Sequence, residues 1–333
     1  MDLQDVVALT CALVDIDSTT GREGELADWL AARLRERGYE VLEQPVDGRR
    51  RNLFARLGPP DVVFSTHLDC VPPFFPSRRQ GTTVFGRGAC DAKSALASQV
   101  VAAERLRREG DPRIGLLFVV GEERGSDGAR AAQLLAPGSR YLINGEPTDN
   151  RLGVATRGVL RVGFAATGRA SHSSYPELGE SAIEKLVSAL MALRAIPLPD
   201  DPVMGRTTYT VGVIAGGVAP NVVPASASAE IVFRTVGDLA GLRTALSTLD
   251  PLVRIEELLE VPPVTMVHVP GFDTAAFPFT TDIPFLSTWG TPLLFGPGSA
   301  TVAHTAEERI DVEELHRAVE AYARLARHLL RTA

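Results

Sequence analysis

The chain reads as an α/β protein in two parts: a helix-covered mixed, largely parallel sheet, with a smaller α+β module inserted in it. Three observations carry that reading. The 333 residues exceed what one domain ordinarily holds, so two are expected. Up to Pro147, apolar strand-like runs alternate with helical periodicities, the order of a parallel sheet covered by helices. From 157 to 265 the order becomes β-α-β-β-α-β, the ferredoxin-like pattern. The expected domains are therefore 1–156 with 266–333, and 157–265 inserted between them.

Each element has its own signal. Apolar spacing predicts a helix over 3–15. A second follows, in which Leu26, Trp29, Leu30 and Leu34 repeat at helical spacing and Gly38 stands at the C-cap. Strands are expected over 40–46, 52–57 and 62–66, then a Pro/Phe loop to Gly88 and an Ala-rich helix over 92–108. A strand over 114–120, a helix over 126–135 and a short strand over 141–143 complete the first part. The insert reads as strands 159–167, 207–215, 226–235 and 252–259, with helices over 181–196 and 238–248. After Pro262-Pro263 the chain is rich in Gly/Pro turns, including Gly296-Pro297-Gly298-Ser299. It closes on a helix with the apolar stripe Val312, Leu315, Val319, Tyr322 and Leu329, preceded by Asp311 and Glu314 at capping-box spacing.

Composition excludes several classes of function. A net charge of −7 without a basic stripe argues against a nucleic-acid partner. Three cysteines, Cys11, Cys70 and Cys90, make no disulfide framework and no CxxC metal site, and they fit a reducing cytoplasm. Asp2 and Asp5 stand where a signal peptide needs basic residues, and no apolar run reaches membrane-spanning length, so no membrane partner is expected.

The chemistry concentrates at strand ends. The apolar run 114–120 stops at Gly121-Glu122-Glu123, and adjacent acids repel unless a cation lies among them. His67, Asp91, Glu146 and His304 occupy similar turns. Imidazoles and carboxylates together suit zinc, cobalt or manganese better than calcium. Five ligands exceed one tetrahedral site with an open position, but they serve two divalent ions that share Asp91. Asp69, two residues after His67, is placed to accept the ring N–H that His67 does not use for metal. Glu122, beside a ligand, is placed as the base that takes a proton from water. Cys70 and Cys90 read as small buried neighbours of site aspartates, and Lys93 as a local charge partner.

The ordered motifs Ser65-Thr66-His67-Leu68-Asp69, Gly86-Arg87-Gly88-Ala89-Cys90-Asp91, Gly121-Glu122-Glu123, Gly145-Glu146-Pro147 and Ala303-His304-Thr305 resemble the M20 co-catalytic zinc peptidases and deacylases. The resemblance spans nearly the whole chain. It implies a zinc-peptidase-like catalytic domain with an inserted ferredoxin-like lid and dimerisation domain. One metal would be held by His67, Asp91 and Glu146, the other by Asp91, Glu123 and His304, with Glu122 as general base and a cis peptide after Asp91. It also implies that His172, in Gly168-Arg169-Ala170-Ser171-His172, stabilises an oxyanion in a partner subunit. Asn221, Arg234 and the backbone around Gly298 would hold the substrate. On the residues alone, Arg234 could instead pair with an acid such as Glu230. Ser94-Ala95 stand where the family usually carries two glycines, and the loop 72–84 lacks the tryptophan of many relatives.

The region 279–304 looks most like the acetylornithine/acetylcitrulline deacetylases. The expectation is a homodimeric hydrolase that removes an acetyl group from an N-acyl amino acid in arginine biosynthesis. A succinyl-diaminopimelate desuccinylase, with Arg78 or Arg79 as second cation, or a dipeptidase or carboxypeptidase acting on a short peptide, is the alternative.

Overall fold

The computed structural model describes residues 3–135 and 137–331, and these divide into two compact units. The first comprises residues 3–154, 266–275 and 281–331; the second comprises Ala155–Thr265 with Ala276–Thr280. The return to the first unit is thus interrupted by a short excursion at 276–280. Asp2 lies outside the described residues.

In the first unit, helix α1 (Val6–Val14) is capped by Asp5, whose carboxylate accepts the N–H groups of Val7 and Ala8 at 3.0 Å. Helix α2 (Gly24–Glu36) buries Leu26, Leu30 and Leu34 on one side. Strands β1 (Glu40–Asp47) and β2 (Arg50–Arg56) form an antiparallel hairpin, followed by the buried β3 (Val62–His67). The Pro/Phe loop expected up to Gly88 contains two short strands, β4 (Arg78–Gln80) and β5 (Thr83–Phe85). Helix α3 (Lys93–Arg108), strand β6 (Ile114–Val119), helix α4 (Asp127–Ala132) and strand β7 (Tyr141–Asn144) follow. Strand β8 (Leu152–Thr156) was not expected from the sequence.

The second unit holds β9 (Gly158–Thr167), α5 (Ala182–Leu193), the small pair β10 (Asp200–Asp201) and β11 (Gly205–Arg206), and then β12 (Thr208–Gly216). It continues with β13 (Ser226–Thr235), α6 (Ala240–Ser247), β14 (Arg254–Val261) and β15 (Val264–Thr265). Its main sheet has the order β12-β13-β9-β14, antiparallel throughout, which is the ferredoxin-like arrangement. Alternation along β13 buries Ala227, Ala229, Ile231 and Phe233 against Leu186 and Leu193 of α5 and Leu242 and Leu246 of α6.

The remaining strands are β16 (Thr274–Phe277), β17 (Thr291–Leu294) and β18 (Arg309–Asp311), before the terminal helix α7 (Val312–Arg331). Asp311 accepts the N–H of Glu313 at 2.8 Å at the start of α7.

The large sheet runs β1-β2-β6-β3-β7-β17-β8, and it is parallel only across β6-β3-β7-β17. The sheet is mixed, as the sequence reading expects, and its parallel strands are those of the centre. The β1–β2 hairpin reverses one edge, and β8 meets β17 antiparallel on the other side of the centre. Strand β17 escapes sequence reading because it is four residues long and contains Pro292. The proline is tolerated because β17 pairs along its length with β7 but meets β8 only at Leu294.

Both faces of the parallel centre are buried, which is why its strands are continuous apolar runs. Phe64, Leu116 and Phe118 pack with α1, α3 and α7, whereas Val63, Leu117 and Val119 face Ala129, Ala132 and Trp289. The Trp289 indole N–H donates to the Ala132 carbonyl at 2.9 Å. No helix among the described residues is long and apolar enough to cross a membrane.

Candidate metal centre

The parallel strands β3, β6 and β7 all end on one edge of the sheet, where open α/β sheets place their sites. Strand β3 ends in His67, 1% exposed, and β7 leads through Asn144-Gly145 to Glu146. After β6 the chain turns at Gly121, with φ of +75°, into a single 3₁₀ turn, Glu122–Arg124. A side chain at Gly121 would also strike the Arg50 guanidinium, 2.3 Å from a Cβ built there. Asp91 precedes α3 across a cis Asp91–Ala92 peptide, and His304 sits at φ +62° in the turn before β18.

These five side chains fall into two overlapping groups, His67/Asp91/Glu146 and Asp91/Glu123/His304. In each group one ligand atom per residue lies within 4.8 Å of the others. His67 Nε2 is 3.1 Å from Asp91 Oδ1 and 3.8 Å from Glu146 Oε2. On the other side, His304 Nε2 is 3.3 Å from Asp91 Oδ2 and 3.0 Å from Glu123. The two oxygens of Asp91 thus face one imidazole each.

The electrostatics of these residues call for cations. Burial, with Asp91 and Asp282 nearby, pushes the Glu146 carboxyl up to about 8, and its Oε1 is a buried acceptor with no hydrogen-bond partner. Burial, with Glu146 next, holds Glu122 well above the carboxylate range, and burial raises Glu123. Hydrogen bonds to Asp91 and Glu123 push His304 up to about 10. Against its own burial, His67 is raised by Asp69, Asp91 and Glu146, while the two imidazoles hold Asp91 below its usual value despite its burial. A donor set of two imidazoles and three carboxylates, crowded and partly unsatisfied, fits two divalent ions.

Asp69 differs from expectation. The His67 Nδ1–H donates to the Asp69 main-chain carbonyl at 2.9 Å, and the carboxylate is farther, at 3.5 Å. The carboxylate instead accepts the N–H groups of Glu122 at 3.1 Å and Glu123 at 3.3 Å, and the Thr20 hydroxyl at 2.8 Å. It therefore fixes the backbone of the glutamate pair. Residue spacing points to the nearer histidine and carries no sign of the more distant turn.

His172, Asn221 and Arg234 belong to the second unit. His172 is exposed, its Nδ1 accepts the Ser174 N–H at 3.1 Å, and it bridges to Val222, so the His172 and Asn221 loops are neighbours. Ser173 N–H donates to the Asn221 carbonyl at 3.0 Å. Arg234, on β13, is exposed and has no ion-pair partner among the described residues; the alternative pairing with Glu230 is not formed. Gly298, in the first unit, has φ of +82°, and a side chain there would meet the Cys90 sulfur at 2.6 Å. Cys70 and Cys90 are buried and unpaired.

Two residues that the sequence reading passed over stand out. Glu308, 1% exposed, pairs with the equally buried Arg87. Asp282 is a buried carboxylate that burial pushes up to about 6. Glu308 lies four residues after His304, which is the one sequence signal it offered.

The model of peptidase family M20/M25/M40 matches residues 63–328, most of the chain. The chain belongs to that family. A peptidase M20 domain-containing protein of Schizosaccharomyces pombe is 36% identical over 341 residues, covering 98% of this chain and 85% of that one. A protein of Aspergillus clavatus named "Probable carboxypeptidase" is 37% identical over 383 residues, covering 99% and 85%. Among solved structures, a tripeptidase of Staphylococcus aureus shares the fold with a TM-score of 0.83 at 20% identity, over 99% of both chains. As an M20 member the chain is a hydrolase acting on amide bonds.

Proposed function

We propose that this M20 hydrolase is a two-metal carboxypeptidase, cleaving an amide bond whose amine side is an amino acid with a free carboxylate. The observation that carries the proposal is the pair of overlapping ligand groups sharing Asp91, with Glu122 next in chain to one of the ligands. His67, Asp91 and Glu146 hold one ion, and Asp91, Glu123 and His304 the other. Zinc suits the imidazole-carboxylate set best, and cobalt or manganese can replace it. When bound, such ions would supply Lewis acidity toward the scissile carbonyl and the attacking water.

The remaining steps belong to the chain. Glu122, whose buried carboxyl favours holding a proton, takes one from the attacking water and delivers it to the leaving nitrogen. Asp69 keeps Glu122 in place through its main-chain N–H. Arg234 and Asn221 are the second unit's candidates for the substrate's terminal carboxylate, and the backbone of Gly298 is the first unit's. His172 donates to the oxyanion as the carbonyl becomes tetrahedral.

His172 acts in a partner's site, which makes the protein a homodimer. What supports this is the edge strand β12, which exposes Val213 at 56% and Ile214 at 60%, together with Ile183, Val187 and Met191 on one side of α5. Mixing inactive His172→Ala and Glu122→Gln chains is expected to restore about a quarter of wild-type activity, since half the dimers are mixed and each has one whole site. No recovery despite subunit exchange rules out sharing in trans. The unpaired cysteines support a cytoplasmic setting.

The substrate is decided by a panel: C-terminal amino acid release from short peptides, against N-acetylornithine, N-acetylcitrulline and N-succinyl amino acids. The names of the fungal relatives put peptides first. A clear preference for the N-acetyl amino acids moves the assignment to a deacetylase of arginine biosynthesis, and preference for N-succinyl substrates moves it to a desuccinylase.

A further inference from the structure

Four of the five ligand candidates are anchored by regular structure. His67, Glu123 and Glu146 end or follow strands of the parallel ladder, and Asp91 leads into α3. His304 has no such anchor: it lies in a turn, and half its side chain is exposed. Four residues later comes Glu308. Its Oε1 accepts three main-chain N–H groups from the opposite segment, Gly88 at 2.9 Å, Cys90 at 3.2 Å and Asp91 itself at 3.1 Å. Its Oε2 accepts from Arg87, and its main-chain carbonyl accepts the Gly86 N–H at 3.1 Å. Arg87 in turn donates to the Pro73 carbonyl at 3.2 Å. Three N–H groups converging on one carboxylate form an anion nest, and here the anion is supplied by the chain.

We propose that Glu308 is a positioning residue that sets the separation of Asp91 and His304 and thereby completes the second metal site. The physical case is one of connectivity. The 86–91 segment delivers the shared Asp91, the 304–308 segment delivers His304, and the Glu308 side chain is the buried polar link between them. Loss of a carboxylate from inside such a nest leaves three N–H donors and the Arg87 guanidinium without their acceptor, which strains the turn. The His67 group has no covalent or hydrogen-bonded dependence on that turn except through Asp91, which α3 and the Gly88–Lys93 main-chain bond also hold. The effect is therefore selective for the ion bound by Asp91, Glu123 and His304. This inference rests on the two-metal reading above.

The test is zinc binding to metal-freed protein, by calorimetry in the presence of a competing chelator, with His304→Ala as reference for a chain lacking the second site. Wild type is expected to take up two zinc ions. Glu308→Ala is expected to bind the second about 10–100-fold more weakly and the first unchanged, approaching the His304→Ala profile. Glu308→Asp keeps the charge but retracts the carboxylate by one methylene, and it carries the same expectation where the alanine variant does not fold. Glu308→Gln keeps the reach and an acceptor oxygen, and should lose less. Two unchanged sites in Glu308→Ala or Glu308→Asp overturn the proposal, and so does equal weakening of both. A wild-type chain that binds fewer than two zinc ions overturns the two-metal reading first, which separates the two failures.

Discussion

Replacing Glu122 by Gln is expected to lower turnover by about 10²–10⁴-fold while two divalent ions per chain remain bound. The substitution keeps the shape and removes the group that accepts the proton. Glu122 is suited to the exchange because burial, together with Glu146, raises its carboxyl well above the ordinary range, so that it can carry a proton as well as release one. Its position depends on Asp69, which holds the N–H groups of both glutamates, so the variant should leave the backbone of the turn unchanged. Metal analysis beside steady-state kinetics checks this. Retained turnover sinks the assignment of Glu122 as base, and loss of metal along with turnover makes it a ligand instead.

Withdrawing the metals with a chelator is expected to abolish turnover, reversibly, and to expose a pH dependence that the loaded protein lacks. In the metal-free chain Glu146 titrates at about 8, above its unfolded value of 4.5, and His304 at about 10, above 6.5. Both shifts are upward. Each group therefore contributes its stability fully below its unfolded pKa and loses it as pH rises through the folded one. The melting temperature of metal-free protein should fall as pH rises from about 5 to about 9. Asp91, shifted downward, acts only in the acid range below its unfolded 3.8 and does not counter this. Metal uptake displaces the same protons, so affinity should rise with pH and each binding event should release protons. Calorimetry in buffers of different ionisation enthalpy measures that release. A metal-free melting temperature flat across this range means that the five side chains do not share one electrostatic site.

Much of the fold is legible in the sequence because its signals are local. The insert's β-α-β-β-α-β order follows from periodicities that each lie within about ten residues, and the parallel-centre strands announce themselves as unbroken apolar runs. The short strands β8 and β17 do not, because one contains a proline and both owe their pairing to neighbours far along the chain. The same division applies to the site. His67, Glu123 and Glu146 are noticed because each follows a strand, and a strand end is a local pattern. Glu308 and the true partners of Asp69 are invisible for the opposite reason: each bonds to main-chain N–H groups, which leave no mark on residue identity.

By itself, then, the sequence determined the two-part α/β architecture and singled out the five residues proposed as metal ligands with the acid beside them, because residue type and short-range period encode all three. Only the tertiary structure decided that the sheet is parallel at its centre alone, that the five side chains gather around Asp91, and that Glu308 ties the His304 turn to the Asp91 segment. Those facts depend on strand pairings and buried hydrogen bonds between residues as many as 221 positions apart, and no local pattern records such a distance.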